Sequence, residues 1–211
     1  MKQLSLSFFM LLGFFLFSCG GNTQDQQETE SYEYSAEEDT QYTGAEETPA
    51  QKRYAERRAK GDTLAMHYKE LQKFLPNEIR GFSREGEIEG SSMNMEDGSY
   101  SMASQRYRKG EEDLTITLID YNNAIDMYEG LSGAWASGMS YEDDNQKANG
   151  VSLLNNKAKG MEVFAKKDNR CELMAGIAAR FYLQIKVNNT TNASLCREIA
   201  EGLNLSALDA Y

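Results

Sequence analysis

The sequence predicts an α+β domain over residues 51–211, an antiparallel sheet of about six to seven strands packed with helices. Three observations predict it. Two segments alternate apolar and polar residues with a period of two, Leu114-Ile116-Leu118 and Phe181-Leu183-Ile185-Val187. Three separate segments carry apolar residues at helical spacing, around Leu71, Tyr128 and Ile199. Short turn signals such as Asp97-Gly98 lie between the strand-like runs, and strands joined by short turns pair antiparallel. A stretch of roughly 160 residues is enough to bury a core within one domain.

Taken in order, Pro49 can open a helix, and Gln51 to Lys60 is polar and helix-favouring. Gly61-Asp62-Thr63 interrupts it, with Asp62 as an expected N-cap. Leu64, Tyr68, Leu71 and Leu75 then predict a second helix that Pro76 ends. Strands are expected at 82–89, 99–108 and 114–118. A helix is expected over 123–136, with Ala124, Tyr128, Leu131 and Trp135 on one face. The charged stretch 140–150 reads as a loop. Four further strands are expected at 151–154, 161–164, 170–177 and 181–187, and Leu195, Ile199 and Leu203 predict the closing helix.

The chain ahead of this domain has a different character. Residues 20–50 carry nine acidic side chains and no Lys or Arg. Such a segment cannot bury enough apolar surface to offset its chain entropy, so residues 19–50 are expected to be a disordered acidic tether. The acidity is localised. Of the net charge of −11, Lys2 contributes +1 and residues 20–50 contribute −9, which leaves −3 for residues 51–211. The folded part shows no basic stripe, which argues against a nucleic-acid partner.

Residues 1–18 read as an export signal. A short basic start (Met1, Lys2, Gln3) precedes fourteen largely apolar residues, Leu4 to Phe17, and Gly20-Gly21-Asn22 stops the run. That run is short of the roughly 20 apolar residues a membrane span needs. Its end, Leu16-Phe17-Ser18-Cys19, resembles the lipobox of bacterial lipoproteins, with Leu16, Ser18 and Cys19 matching and bulky Phe17 departing from it. Looser lipoboxes of this kind are typical of Bacteroidetes-type lipoproteins. The resemblance implies cleavage before Cys19 and acylation (palmitate among the acyl groups) of its thiol. It also implies a lipid anchor to a cell-envelope membrane, the outer membrane being the expected one, with the facing side left open. Asp25 and Glu28 resemble an acidic surface-export address. Asp62-Thr63-Leu64 resembles the Asp-Thr-aliphatic acceptor of periplasmic O-glycosylation in that group, which makes Thr63 the candidate site.

Phe74-Leu75-Pro76 with Gly81, followed by strands and a Trp-bearing helix, resembles a group of uncharacterised bacterial secreted proteins. Their element order is similar to the PsbP/Mog1-like α/β/α sandwich. That resemblance spans residues 64–205, is structural, and implies no catalytic residues.

Few residues point to chemistry. Lipidation of Cys19 leaves Cys171 and Cys196, an even number for an oxidising compartment. Cys171 shares strand parity with Leu173 and Ile177, and Cys196 lies beside the Leu195/Ile199 face. A strand-to-helix disulfide is expected, the alternative being two small buried thiols. His67 is the single histidine and has no ligand spacing, so no metal centre is expected. The acidic pairs Glu111-Glu112 and Asp143-Asp144 read as solvated loop charge, and Gly-x-Ser-x-Gly is absent. Tyr128 and Trp135, about two helical turns apart, could line an apolar pocket, with core packing as the alternative. The expectation is a non-enzymatic binding or accessory module without cofactor, held at a membrane by lipid, its protein or small-molecule partner unspecified. The rival readings are a carrier of a small apolar ligand or lipid, and a hydrolase built from scattered Asp, Glu and Tyr.

Overall fold

Nine strands form one sheet in the order β1-β2-β3-β4-β9-β8-β7-β6-β5, with every neighbouring pair antiparallel. The structure is a computed structural model that describes residues 46–95, 98–122, 124–132 and 138–211. The export signal, Cys19, most of the tether, Asp97 and Trp135 lie outside the described residues. The strands are β1 (Glu78–Ile79), β2 (Phe82–Met95), β3 (Gly98–Lys109), β4 (Glu112–Asp120), β5 (Ser140–Glu142), β6 (Gln146–Leu153), β7 (Ala158–Ala165), β8 (Arg170–Ile177) and β9 (Phe181–Asn188). The helices are α1 (Pro49–Ala59), α2 (Tyr68–Leu71), α3 (Ile125–Ser132) and α4 (Leu195–Gly202). The α+β class therefore holds.

The strand count differs from the six to seven expected, because β1 and β5 have only two and three residues and carry too little sequence to show a period. The 140–150 stretch is not a loop. Asp143 organises a tight turn by accepting from the backbone N–H groups of Asn145 and Gln146, both at 2.7 Å. That turn joins β5 to an early start of β6. Those N–H donors and the Tyr141 hydroxyl hold the Asp143 carboxyl below its ordinary pKa, so it is more than solvated charge.

α1 begins two residues before the expected domain start. Thr48 and Gln51 form a capping box, with Gln51 N donating to Thr48 Oγ1 at 3.1 Å and Thr48 N donating to Gln51 Oε1 at 3.0 Å. Glu129 of α3 accepts from both side chains, which ties the two helices together.

The helix expected over 64–75 is the largest correction. Only Tyr68–Leu71 is α-helical, and Gln72–Phe74 continues as a 3₁₀ turn. Residues 64–66 are held off helical geometry by the sheet. Ala65 N donates to Ser99 Oγ at 2.8 Å, Met66 N donates to Asp120 Oδ2 at 2.7 Å, and the Ser101 hydroxyl donates to the Met66 carbonyl. Asp62 is not an N-cap, because Arg180 and Asn122 engage its carboxylate. His67 caps α2 instead, its Nδ1 accepting from Lys69 N at 3.3 Å. Leu64 is consequently exposed, whereas Leu71 and Leu75 reach the core.

The sheet buries both faces. On one, Leu114, Ile116 and Leu118 of β4 lie beside Leu183, Ile185 and Val187 of β9. Leu71, Leu75, and Leu195 and Ile199 of α4 belong to the same buried cluster, with Leu205 and Leu208 beyond it. Tyr182 points the other way by strand parity. With Tyr121 and Tyr128 it forms a second cluster that includes Ala50 of α1, Ile125 of α3, and Met161 and Met174. Burying one large aliphatic side chain of this kind contributes about 1.5–3 kcal/mol.

Candidate functional site

The described residues offer three polar constellations, one a structural clasp and two lining cavities. The clasp lies where the α1–α2 connection crosses the end of β4. Arg180 reaches Asp120 through two parallel bonds and Asp62 through a third at 2.7 Å. Asn122 donates to Asp62 Oδ1 at 2.7 Å and to the Leu64 carbonyl at 3.0 Å. Arg57 of α1 closes the group by donating to Asn122 Oδ1 at 2.7 Å and to the Ala179 carbonyl at 3.3 Å. Burial opposes the charge on Arg180, but the Asp120 and Asp62 carboxylates outweigh it and hold its pKa above the ordinary value. Burial, then the neighbouring Arg180 charge, lowers that of Arg57. Two cations facing two anions with this many bonds fasten α1 to the sheet.

The second constellation comes from an interruption in β2. Glu85 pairs with Arg106 and Glu89 with Ser104, so residues 86–88 bulge opposite Gln105 alone. Gly86 takes φ +72°, a left-handed angle that suits glycine at this bulge. A cleft of about 320 Å³ opens there, lined by Glu85, Glu87, Glu89, Gln105 and Arg106 among others. Gln105 is buried, and its Nε2 donates to the carbonyls of Glu85 and Arg106 at 2.9 and 2.7 Å. Among the described residues its Oε1 has no partner, and neither does the buried Nε of Arg84 in the neighbouring strand β2. Buried polar atoms of this kind suit bound water.

The third lies between β6, β7 and the first turn of α4, a cavity of about 190 Å³ lined by Lys147, Asn149, Glu162, Phe164, Ala193, Ser194 and Arg197. Glu162 sits on the same sheet face as Leu173, its partner in β8, and is 6 % exposed. Ser194 at the start of α4 makes no side-chain cap, and Glu162 supplies it from the sheet, its Oε1 accepting from Arg197 N at 3.1 Å. Its Oε2 has no partner among the described residues. Burial raises the Glu162 pKa, and the Arg197 N–H offsets this only in part.

A disulfide pins this corner. Cys171 of β8 and Cys196 of α4 are bonded, with Cα atoms 6.1 Å apart, and both are fully buried. Phe164 of the cavity wall pairs with Cys171 across the β7–β8 ladder. The strand parity of Cys171 and the apolar face of α4 were the signals for that bond, and the structure brings the two together.

The remaining sequence-derived residues are dispersed. Thr63 is exposed between α1 and α2. His67 is exposed, and no group of three metal-ligating side chains occurs among the described residues. Tyr128 is buried, its hydroxyl hydrogen-bonded to the Ala179 backbone and pressed onto Gly176, where a Cβ would sit 2.5 Å from that oxygen. Tyr128 therefore packs in the second cluster, and neither cavity above includes it. Sequence reasoning missed Gln105 and Glu162 as site residues.

No family model and no curated protein matches this chain. One solved structure, an uncharacterised protein from Mycobacterium smegmatis, is similar over 75 % of this chain and 94 % of its own, with 8 % identity and a TM-score of 0.28. A TM-score of that size does not place the two in one fold.

Proposed function

We propose that this chain is a cell-envelope lipoprotein, cleaved before Cys19, acylated there, and serving as a non-enzymatic binding or accessory module on an acidic tether. The observation that carries this reading is the fourteen-residue apolar run Leu4 to Phe17 that leads into Ser18-Cys19. The buried disulfide supports it, because such bonds persist in oxidising compartments outside the cytoplasm. Among the described residues no helix is long and apolar enough to cross a membrane. Helices on both sheet faces fit the PsbP/Mog1-like α/β/α arrangement implied by the sequence resemblance. The linings of both cavities are rich in charged and amide groups, which favours a polar ligand over apolar cargo.

Radiolabelled palmitate tests the anchor. The wild-type protein is expected to take up label and fractionate with membranes, and Cys19→Ala to lose both. Uptake by Cys19→Ala contradicts the reading.

A further inference from the structure

We propose that the cavity between β6, β7 and the start of α4 binds a small zwitterion of the α-amino-acid class, its ammonium against Glu162 and its carboxylate between Lys147 and Arg197. This rests on the reading of the chain as a binding module and names the ligand class of one site.

The argument starts from the acid. A carboxylate has about four acceptor positions, and Glu162 fills one, with the Arg197 N–H. A charge this buried is costly unless it is paired. No Lys, Arg or His makes an ion pair with it among the described residues. The missing partner is a compact donor group, ideally cationic, entering through the cavity that Glu162 lines.

The charge layout then selects the rest of the ligand. Glu162 is deep, whereas Lys147 is exposed and Arg197 half-buried, so the cations stand nearer the mouth than the acid. Among the described residues Lys147 pairs only with exposed Glu142, at 3.5 Å, a contact of little strength. Arg197 makes no ion pair among the described residues. A simple cation would meet these two charges on its way in, and a simple anion would meet Glu162 at the end. A molecule with its positive group inward and its negative group outward satisfies all three.

Size sets the remaining limit. The volume of about 190 Å³ lies below that of pockets for drug-sized ligands, which start near 300 Å³. It suits a molecule of few heavy atoms. Phe164 supplies an apolar wall for a short side chain, and Asn149 and Ser194 supply further hydrogen-bonding groups.

The test is isothermal titration of the full-length protein in detergent with L-alanine, propionate (no ammonium) and ethylamine (no carboxylate). The expected result is saturable binding of L-alanine, with propionate and ethylamine at least tenfold weaker. Glu162→Gln keeps an oxygen to accept from Arg197 N and so preserves the helix cap. It is expected to melt no lower than wild type and to bind L-alanine at least tenfold more weakly, and Arg197→Gln is expected to weaken it as well. Absence of saturable L-alanine binding overturns the proposal. Equal binding of propionate or ethylamine, or undiminished binding by Glu162→Gln, overturns it too. Palmitate uptake at Cys19 reads the anchor separately, so a failed titration leaves that claim intact. L-alanine binding that survives Glu162→Gln but is lost on changing Glu87 and Glu89 would sink this site and keep the module.

Discussion

Arg180 grips Asp120 with two parallel hydrogen bonds, Nε to Oδ1 at 2.9 Å and Nη2 to Oδ2 at 2.7 Å, and both side chains are buried. The Arg180 guanidinium also lies over the ring of Phe181 at 5.0 Å and of Tyr211 at 5.7 Å. The same carboxylate accepts from Asn122 N and Met66 N, so one acid sets the path of the chain between α1 and α2.

Removing that acid leaves the buried Arg180 with Asp62 as its remaining carboxylate and strips two backbone donors, Met66 N and Asn122 N, of their acceptor. Asp120→Ala is expected to cost about 3–5 kcal/mol in urea unfolding. A loss below 1 kcal/mol would show that the clasp contributes little.

Strain sits beside the clasp. Ala178 and Ala179 adopt φ +54° and +53° in the β8–β9 turn, a region where an L-residue costs about 1–2 kcal/mol. The Ala179 backbone is held there by Arg57 and Tyr128. Ala179→Gly relieves the strain but loosens the unfolded chain, so a net gain of about 0.5–1 kcal/mol is expected. A lowered melting temperature would contradict this.

The disulfide closes a loop of sequence separation 25 and is expected to contribute roughly 3 kcal/mol in the loop-entropy account. Reductant should lower the melting temperature of the wild type and leave a Cys171→Ala/Cys196→Ala protein unchanged. Equal sensitivity of the two proteins would mean the bond does not act this way.

The Glu162 carboxyl has a folded pKa above its unfolded value, with burial as the main cause. Its ionised form is therefore disfavoured by folding. Its contribution is most favourable below the unfolded value, about 4.5, and is lost as pH rises through the folded pKa. Glu162→Gln imitates the protonated state. The two proteins should be nearly equal in stability at pH 4, with the variant increasingly favoured above that. A difference independent of pH would remove the burial argument.

Legibility in the sequence followed periodicity. β4 and β9 alternate cleanly because each faces the large core on one side, and α4 shows its four-residue step for the same reason. β5 is a three-residue edge strand exposed throughout, and β6 opens on the exposed polar Gln146 and Lys147, so Ser140–Gly150 read as a loop. The helix at 64–75 failed because Asp120, Ser99 and Ser101, distant in sequence, claim the backbone of residues 65 and 66. The cysteine pair was readable from parity and helix face. Glu162 was not, because in Met161-Glu162-Val163-Phe164 it looks like the solvent-facing member of an alternating strand. Only the approach of the first turn of α4, through Arg197 N, turns it into a buried cap.

The central claim is attachment to the envelope through lipid on one thiol. Mass spectrometry of the amino-terminal peptide of the native protein tests it most directly. The account predicts a chain beginning at Cys19 and carrying acyl groups. A mature chain that starts elsewhere, or an unmodified Cys19, would contradict it.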